Sequence, residues 1–135
     1  MKASKPIDIL KDLATFIIQP SLTARDVAVR LGRIVDDQRG QLMIETETTS
    51  FATVVTQLDS DEPSYVQLVF NEPVTLAALQ EAFGKYQELP RMPRKESQVM
   101  FRPEQTGGTH RAAIISVLEG ESARTFTIRR DISLE

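Results

Sequence analysis

Apolar residues recur every three or four positions in three stretches of this chain. Leu10, Leu13, Ala14 and Ile17 fall at i, i+3, i+4 and i+7, the spacing that lines one face of a helix. Ile9 and Phe16 widen that face. Pro6 suits a first helical turn, where a missing N–H costs nothing. Gln19-Pro20 ends the pattern, because the residue before proline avoids the α region. The spacing therefore predicts a helix over 6–19. A second helix is expected over 22–32, with Val27 and Leu31 pointing inward. Ser21 or Thr23 can cap it, and Gly32 can close it in the left-handed conformation. A third covers 74–84, with Leu79 and Phe83 one turn apart and Gly84 at its end.

Elsewhere the period falls to two, the alternation of a strand. Residues 41–46, 51–58 and 65–70 read as strands, and 33–35 as a short additional one. Asp36-Asp37-Gln38-Arg39-Gly40 and Asp59-Ser60-Asp61-Glu62-Pro63 are turn material. Asn71-Glu72-Pro73 breaks the sheet pattern. Strands are expected again at 98–102, 111–118 and 125–130, with turns at Gly107-Gly108 and 119–122. The predicted fold class is α+β: an antiparallel sheet of six to eight strands with three helices on one face. The expected core is Leu10, Leu13, Ile17, Val27, Leu31, Leu42, Ile44, Val66, Leu68, Leu79, Phe83, Val99, Phe101, Phe126 and Ile128.

The order helix–glycine–strands occurs twice. Thr23, Val27, Leu31 and Gly32 match Thr75, Leu79, Phe83 and Gly84 at an offset of 52. Gln41 to Ile44 match Gln98 to Phe101 at 57, and Ala52, Val54, Val55 and Leu58 match Ala112, Ile114, Ile115 and Leu118 at 60. The offset changes only inside predicted loops. The chain thus reads as one domain, 1–135, made of an N-terminal helix (6–19) and two helix-plus-meander repeats (21–72 and 73–131).

The helix with Leu79-x-x-x-Phe83-Gly84, followed by the alternating strands over 111–130, resembles the tandem repeat of the β-lactamase inhibitor protein and of SmpA/OmlA-like domains. The resemblance spans most of 21–131 and implies a fold of two helix-plus-meander units. It carries no functional residue over, since the chain lacks the cysteines, export signal and lipidation site of those proteins. A weaker similarity is to type III secretion chaperones, which are small, acidic and α+β.

Composition narrows the chemistry. The chain has 135 residues, 41% hydrophobic and 26% charged, enough apolar material for one core. It has no cysteine and one histidine, His110, so a soft-metal site cannot gather the usual three or four nitrogen and sulfur ligands. No metal and no cofactor are expected. No apolar stretch is long enough to span a bilayer. With no signal segment expected at the N-terminus, the expected location is cytoplasmic. The net charge of −3 argues against nucleic acid as a partner.

The candidate chemical groups have plainer readings. Asp59, Asp61 and Glu62 cluster as calcium ligands do, but lack the glycine and distal glutamate of a calcium loop, and read as a polar turn. His110 has no nucleophile at a motif spacing and reads as an exposed histidine beside a turn. Ser116 lies mid-strand without a nucleophile elbow and reads as packing. Arg91, Arg94 and Lys95 form a basic cluster suited to an acidic partner. No catalytic residue emerges, so the chain is read as a non-enzyme.

Charge is unevenly spread. Residues 36–72 carry eight acids against Arg39 alone, for −7, and residues 85–130 carry nine Lys/Arg against five acids, for +4. Such asymmetry steers association. Two strands are also apolar on both faces. Phe51 and Val55 oppose Ala52, Val54 and Leu58, while Ala113, Ile115 and Val117 oppose Ile114 and Leu118. A sheet covered by helices on one side should alternate cleanly. The helix-free face is therefore expected to be buried by a protein partner or a second copy, through Phe51, Val55, Ala113, Ile115, Val117, Arg91, Arg94 and Lys95. The competing expectation is that the N-terminal helix or the 71–97 region folds across it. The leading function is a non-enzymatic protein-interaction module. The alternatives are a secretion-type chaperone or immunity-like inhibitor, and a small-ligand-binding domain.

Overall fold

A computed structural model describes residues 5–38, 40–90, 97–103 and 110–132. In it helices α1 (Pro6–Phe16) and α2 (Ala24–Leu31) precede strands β1 (Arg33–Gln38), β2 (Gln41–Glu45), β3 (Thr49–Thr56) and β4 (Pro63–Thr75). Helix α3 (Leu76–Phe83) then leads into β5 (Tyr86–Glu88), β6 (Gln98–Phe101), β7 (His110–Glu119) and β8 (Ser122–Ile132). The eight strands form one sheet ordered β1-β2-β3-β4-β8-β7-β6-β5, and every neighbouring pair is antiparallel. Each stretch of four strands is a meander, and the two meet only where β4 pairs with β8.

The helices share one side of the sheet. Leu10, Leu13, Ile17, Val27 and Leu79 join Leu42, Val54, Leu68, Ile114, Phe126 and Ile128 in one buried cluster. Phe70 meets Phe126 edge-on, with ring centroids 5.5 Å apart. All of the expected core is buried except Leu31 and Phe83, which pack against it half-buried. Among the described residues, Arg130 is the charged residue of this interior. Its Nε donates to the Ile17 carbonyl at 2.8 Å, its Nη2 to the Gln19 carbonyl at 3.0 Å, and its Nη1 lies 3.2 Å from Glu62. It thereby satisfies carbonyls at the end of α1 that no helical N–H can reach. Arg30 of α2 bridges to Asp12 of α1 through two 2.7 Å bonds and stacks on Phe16.

Several expectations need correction. Helix α1 stops at Phe16 rather than 19, and the chain turns through Ser21 at φ 57°. Thr23 caps α2 in a reciprocal box with Asp26, so Leu22 precedes the helix. Gly32 is not left-handed: its φ is 177°. Glycine is required there by close approach, since a Cβ would lie 2.5 Å from the Glu45 carbonyl oxygen. Strand β3 ends at Thr56, which leaves Leu58 92% exposed instead of inward. Asn71-Glu72-Pro73 does not end the sheet. Strand β4 runs through it with a register shift between Val69 and Val74, which spares the ladder a donor that Pro73 lacks. Strand β5 was not foreseen, because three residues are too few to show a period.

Candidate protein-interaction face

In a strand, successive side chains point to opposite sides of the sheet. Since Val54, Leu68, Phe126 and Ile114 face the helices, their odd-numbered neighbours face away. The register makes those neighbours into rows across the strands. Phe51 lies opposite Val69, Val69 opposite Thr125, and Thr125 opposite Val117. A second row runs Met43, Thr53, Gln67, Thr127, Ile115 and Met100. A third runs Gln41, Val55, Tyr65, Arg129 and Ala113.

The four apolar candidates Phe51, Val55, Ile115 and Val117 are all half-buried on this face. Ala113 lies there too but is fully buried. It stands opposite the long Arg129 side chain, and so backs the surface rather than adding area to it. Arg91, Arg94 and Lys95 lie outside the described residues. Sequence reading missed Tyr65, Val69 and Met100, which complete the rows. Tyr65 and Val69 alternate with the core residues Val66 and Leu68, so the two-faced pattern was present in this strand as well.

Of the expected internal covers, the N-terminal helix and the described part of 71–97 do not lie on this face, and residues 91–96 lie outside the described residues. Helix α1 packs on the opposite side with α2 and α3, β5 extends the sheet edge, and no described element crosses the odd-numbered rows.

The face is electrically uneven. Near β6–β8, Asp131 is held by Arg129 at 2.7 and 3.0 Å and by Arg102 at 2.9 Å. Burial pushes the Asp131 carboxyl up, but the two guanidinium groups outweigh it and hold the group below its ordinary value. The Arg129 guanidinium is correspondingly raised by its hydrogen bond to Asp131. Arg129 Nη2 also lies 4.0 Å from the Met100 sulfur. Arg111, opposite Asp131 in the register, has a buried Nε without a hydrogen-bond partner among the described residues. Two arginines thus hold this carboxylate, and a third stands opposite it in the register. At the other end, Asp36 and Glu45 stand beside Arg33, which bridges to Glu45 at 2.6 Å.

The remaining candidates do not assemble a reactive centre among the described residues. Asp61 and Glu62 have other partners: the Asp61 backbone carbonyl accepts from the Ala24 N–H at 2.7 Å, while the Glu62 carboxylate goes to Arg130. No group of three metal-ligating side chains occurs among the described residues. His110 is half-buried rather than exposed. Burial and the nearby Arg130 charge lower its pKa, with Glu62 opposing. Ser116 is fully buried under the helix layer, opposite Phe126 and Val99, and its hydroxyl has no hydrogen-bond partner among the described residues. A groove of about 500 Å³ between α1 and α3 is lined by Lys11, Ala14, Thr15, Ala82 and Phe83. A second, of about 370 Å³, lies by Thr23, Asp37 and Asp61. The first is away from the helix-free face, and the second reaches its rows at Gln41. Among the described residues no helix is long and apolar enough to cross a membrane. No family model, curated protein or solved structure matches the chain.

Proposed function

We propose that this chain is a non-enzymatic, cytoplasmic interaction module that binds a protein partner on its helix-free sheet face, and that it is built from two helix-plus-meander units, 21–72 and 73–131. The observation that carries the binding role is the band Phe51–Val69 and Ile115–Val117, apolar and half-buried, on a face that no described helix covers. Apolar surface on an uncovered sheet face, here two patches divided by Thr125 and Thr127, marks interfaces more often than it serves a lone soluble domain. The two-unit reading draws support from the order of elements and from the way two meanders meet at β4 and β8. The non-enzymatic reading draws support from the separation of Ser116, His110 and the carboxylates.

A photo-crosslinking residue placed at Ile115 or Val55, with Val29 as control, tests the binding role in native lysate. Val29 is 64% exposed, on the outer side of α2. The expected result is a discrete crosslinked species from positions 55 and 115 and none from 29. Equal or absent crosslinking at all three positions overturns the reading.

A further inference from the structure

Arginine is the side chain best suited to oxyanions, because its planar guanidinium presents donors in a fixed fork. Three arginines gather at one end of the helix-free face, on strands that the order β8-β7-β6 sets side by side. Arg129 lies on β8 and Arg111 on β7, while Arg102 directly follows β6. One carboxylate serves them. Asp131 Oδ1 accepts from Arg129 Nε at 2.7 Å, and its Oδ2 accepts from Arg129 Nη2 at 3.0 Å and lies 2.9 Å from Arg102 Nη2. The three rows of the face that run from Phe51, Met43 and Gln41 contain no acid.

Arg111 is left over. It stands directly opposite Asp131 in the register, where facing Cβ atoms are about 5 Å apart. Among the described residues it nevertheless forms no ion pair with that carboxylate, which is turned to Arg102 and Arg129. Its Nε is buried without a hydrogen-bond partner among the described residues, although buried donors are ordinarily paired. The Arg102 side chain reaches Asp131 from the far side of β7, and so crosses that strand at Ala113, which is fully buried on an otherwise half-open face. A short side chain thus sits among three long ones. The guanidinium groups stay within reach of solvent: the Arg102 and Arg129 side chains are 32% and 42% exposed, and Arg111 is half-buried.

Charge sets the kind of ligand. Three guanidinium groups against one carboxylate leave two positive charges unbalanced. A carboxylate ligand supplies one negative charge and two oxygens, whereas a phosphate monoester carries about −1.5 to −2 at pH 7 and three acceptor oxygens. We propose that Arg111, together with Arg102 and Arg129, forms a binding site for a phosphate monoester, with Arg111 Nε donating to one of its oxygens. Hydrogen bonds between charged partners of this kind are shorter and stronger than neutral ones. The site goes beyond the protein-binding reading and does not require it. A phosphate monoester reaches it either as a small molecule or on a peptide side chain, and the experiment separates the two.

The first measurement is titration of the full chain with inorganic phosphate at constant ionic strength, followed by the NMR signals of the arginine Nε–H groups. Saturable binding is expected, with the Arg111 signal moving most and acetate binding more weakly than phosphate. Arg111→Gln should lose at least about tenfold in phosphate affinity, the worth of one charge-assisted hydrogen bond. Arg111→Lys should not restore it, because lysine has no fork. Should Arg111→Gln fail to fold, Arg102→Gln, at a more exposed position, reads the same loss. Arg33→Gln, at the opposite end of the sheet, should bind as the wild type does. Glycerol phosphate and a short phosphoserine peptide then identify the source. Equal affinities support a site for small phosphate esters, and tighter peptide binding supports one for a phosphorylated partner. The proposal is overturned if phosphate does not saturate, if acetate binds as tightly, if Arg111→Gln leaves the affinity unchanged, or if neither ester binds. Failure of crosslinking at positions 55 and 115 would overturn the protein-binding reading and leave this site standing.

Discussion

The two faces of the sheet are made from the same strands, yet they obey different rules. On the helix side Val54, Leu68, Ile114, Phe126 and Ile128 are wholly buried, and the layer above is Leu10, Leu13, Val27 and Leu79. On the other side Val55, Val69, Ile115 and Val117 are of similar chemistry but keep part of their surface in water. The first set is spent on folding. The second carries apolar area that the fold does not consume.

The contrast can be broken most directly at Phe126. Phe126→Ala, beside Phe70 under the helices, should cost about 3–5 kcal/mol in urea unfolding, the usual range for a buried phenylalanine. Ile115→Ala across the sheet, measured in dilute protein, should cost about 1 kcal/mol. Equal losses would mean that both faces are core.

Arg130 tests whether the helix side tolerates a charge only because it is fully paired. Arg130→Met keeps volume but leaves the Ile17 and Gln19 carbonyls and Glu62 without their donor. The expected loss is about 2–3 kcal/mol, below that of a fully buried pair because Glu62 is half in solvent. Hydrogen exchange should show the C-terminal turn of α1 opening first.

Gly32 and Gly84 occupy matching places after α2 and α3, but for different reasons. Gly84 has φ 85° and open space around it, whereas Gly32 is extended and pressed against the Glu45 carbonyl. Gly32→Ala should lose about 1–3 kcal/mol by overpacking. Thermal unfolding in the presence and absence of a Glu45 substitution will not relieve that loss, because the clash is with backbone.

The smallest effect is on pH. His110 has a folded pKa below its ordinary value, so the unfolded chain takes up the proton more readily, and stability should fall as pH drops below about 6.5. Asp12 and Asp131 are also lowered, the first chiefly by its hydrogen bond from Arg30 and the second by Arg129 and Arg102 against burial. Their contributions are present above about pH 4 and are lost below it as the folded carboxylates protonate. Melting temperature against pH should therefore decline in two stages. His110→Asn should remove the upper stage, and Asp131→Asn, on the helix-free face, should flatten the lower.

Periodicity in the sequence was enough to place the helices, most strands and nearly the whole core. Leu10, Leu13 and Ile17 show a helical stripe, and Val66 and Leu68 an alternation, because burial against a layer leaves a repeating mark. It was also enough to show that β3 and β7 are apolar on both sides. What it could not decide was where non-periodic contacts fall. The end of β3, and with it the exposure of Leu58, depends on where the ladder with β4 breaks. The continuation of β4 through Pro73 depends on a register shift paired with β8. The Arg130 clamp joins residues more than a hundred positions apart. The conformation of Gly32 is fixed by a carbonyl thirteen residues on. Local spacing determines which side chains share a face, since geometry along one strand or helix repeats. Which face is covered, and which charges meet on it, follows from strand order and helix placement, and those exist only once the chain has folded.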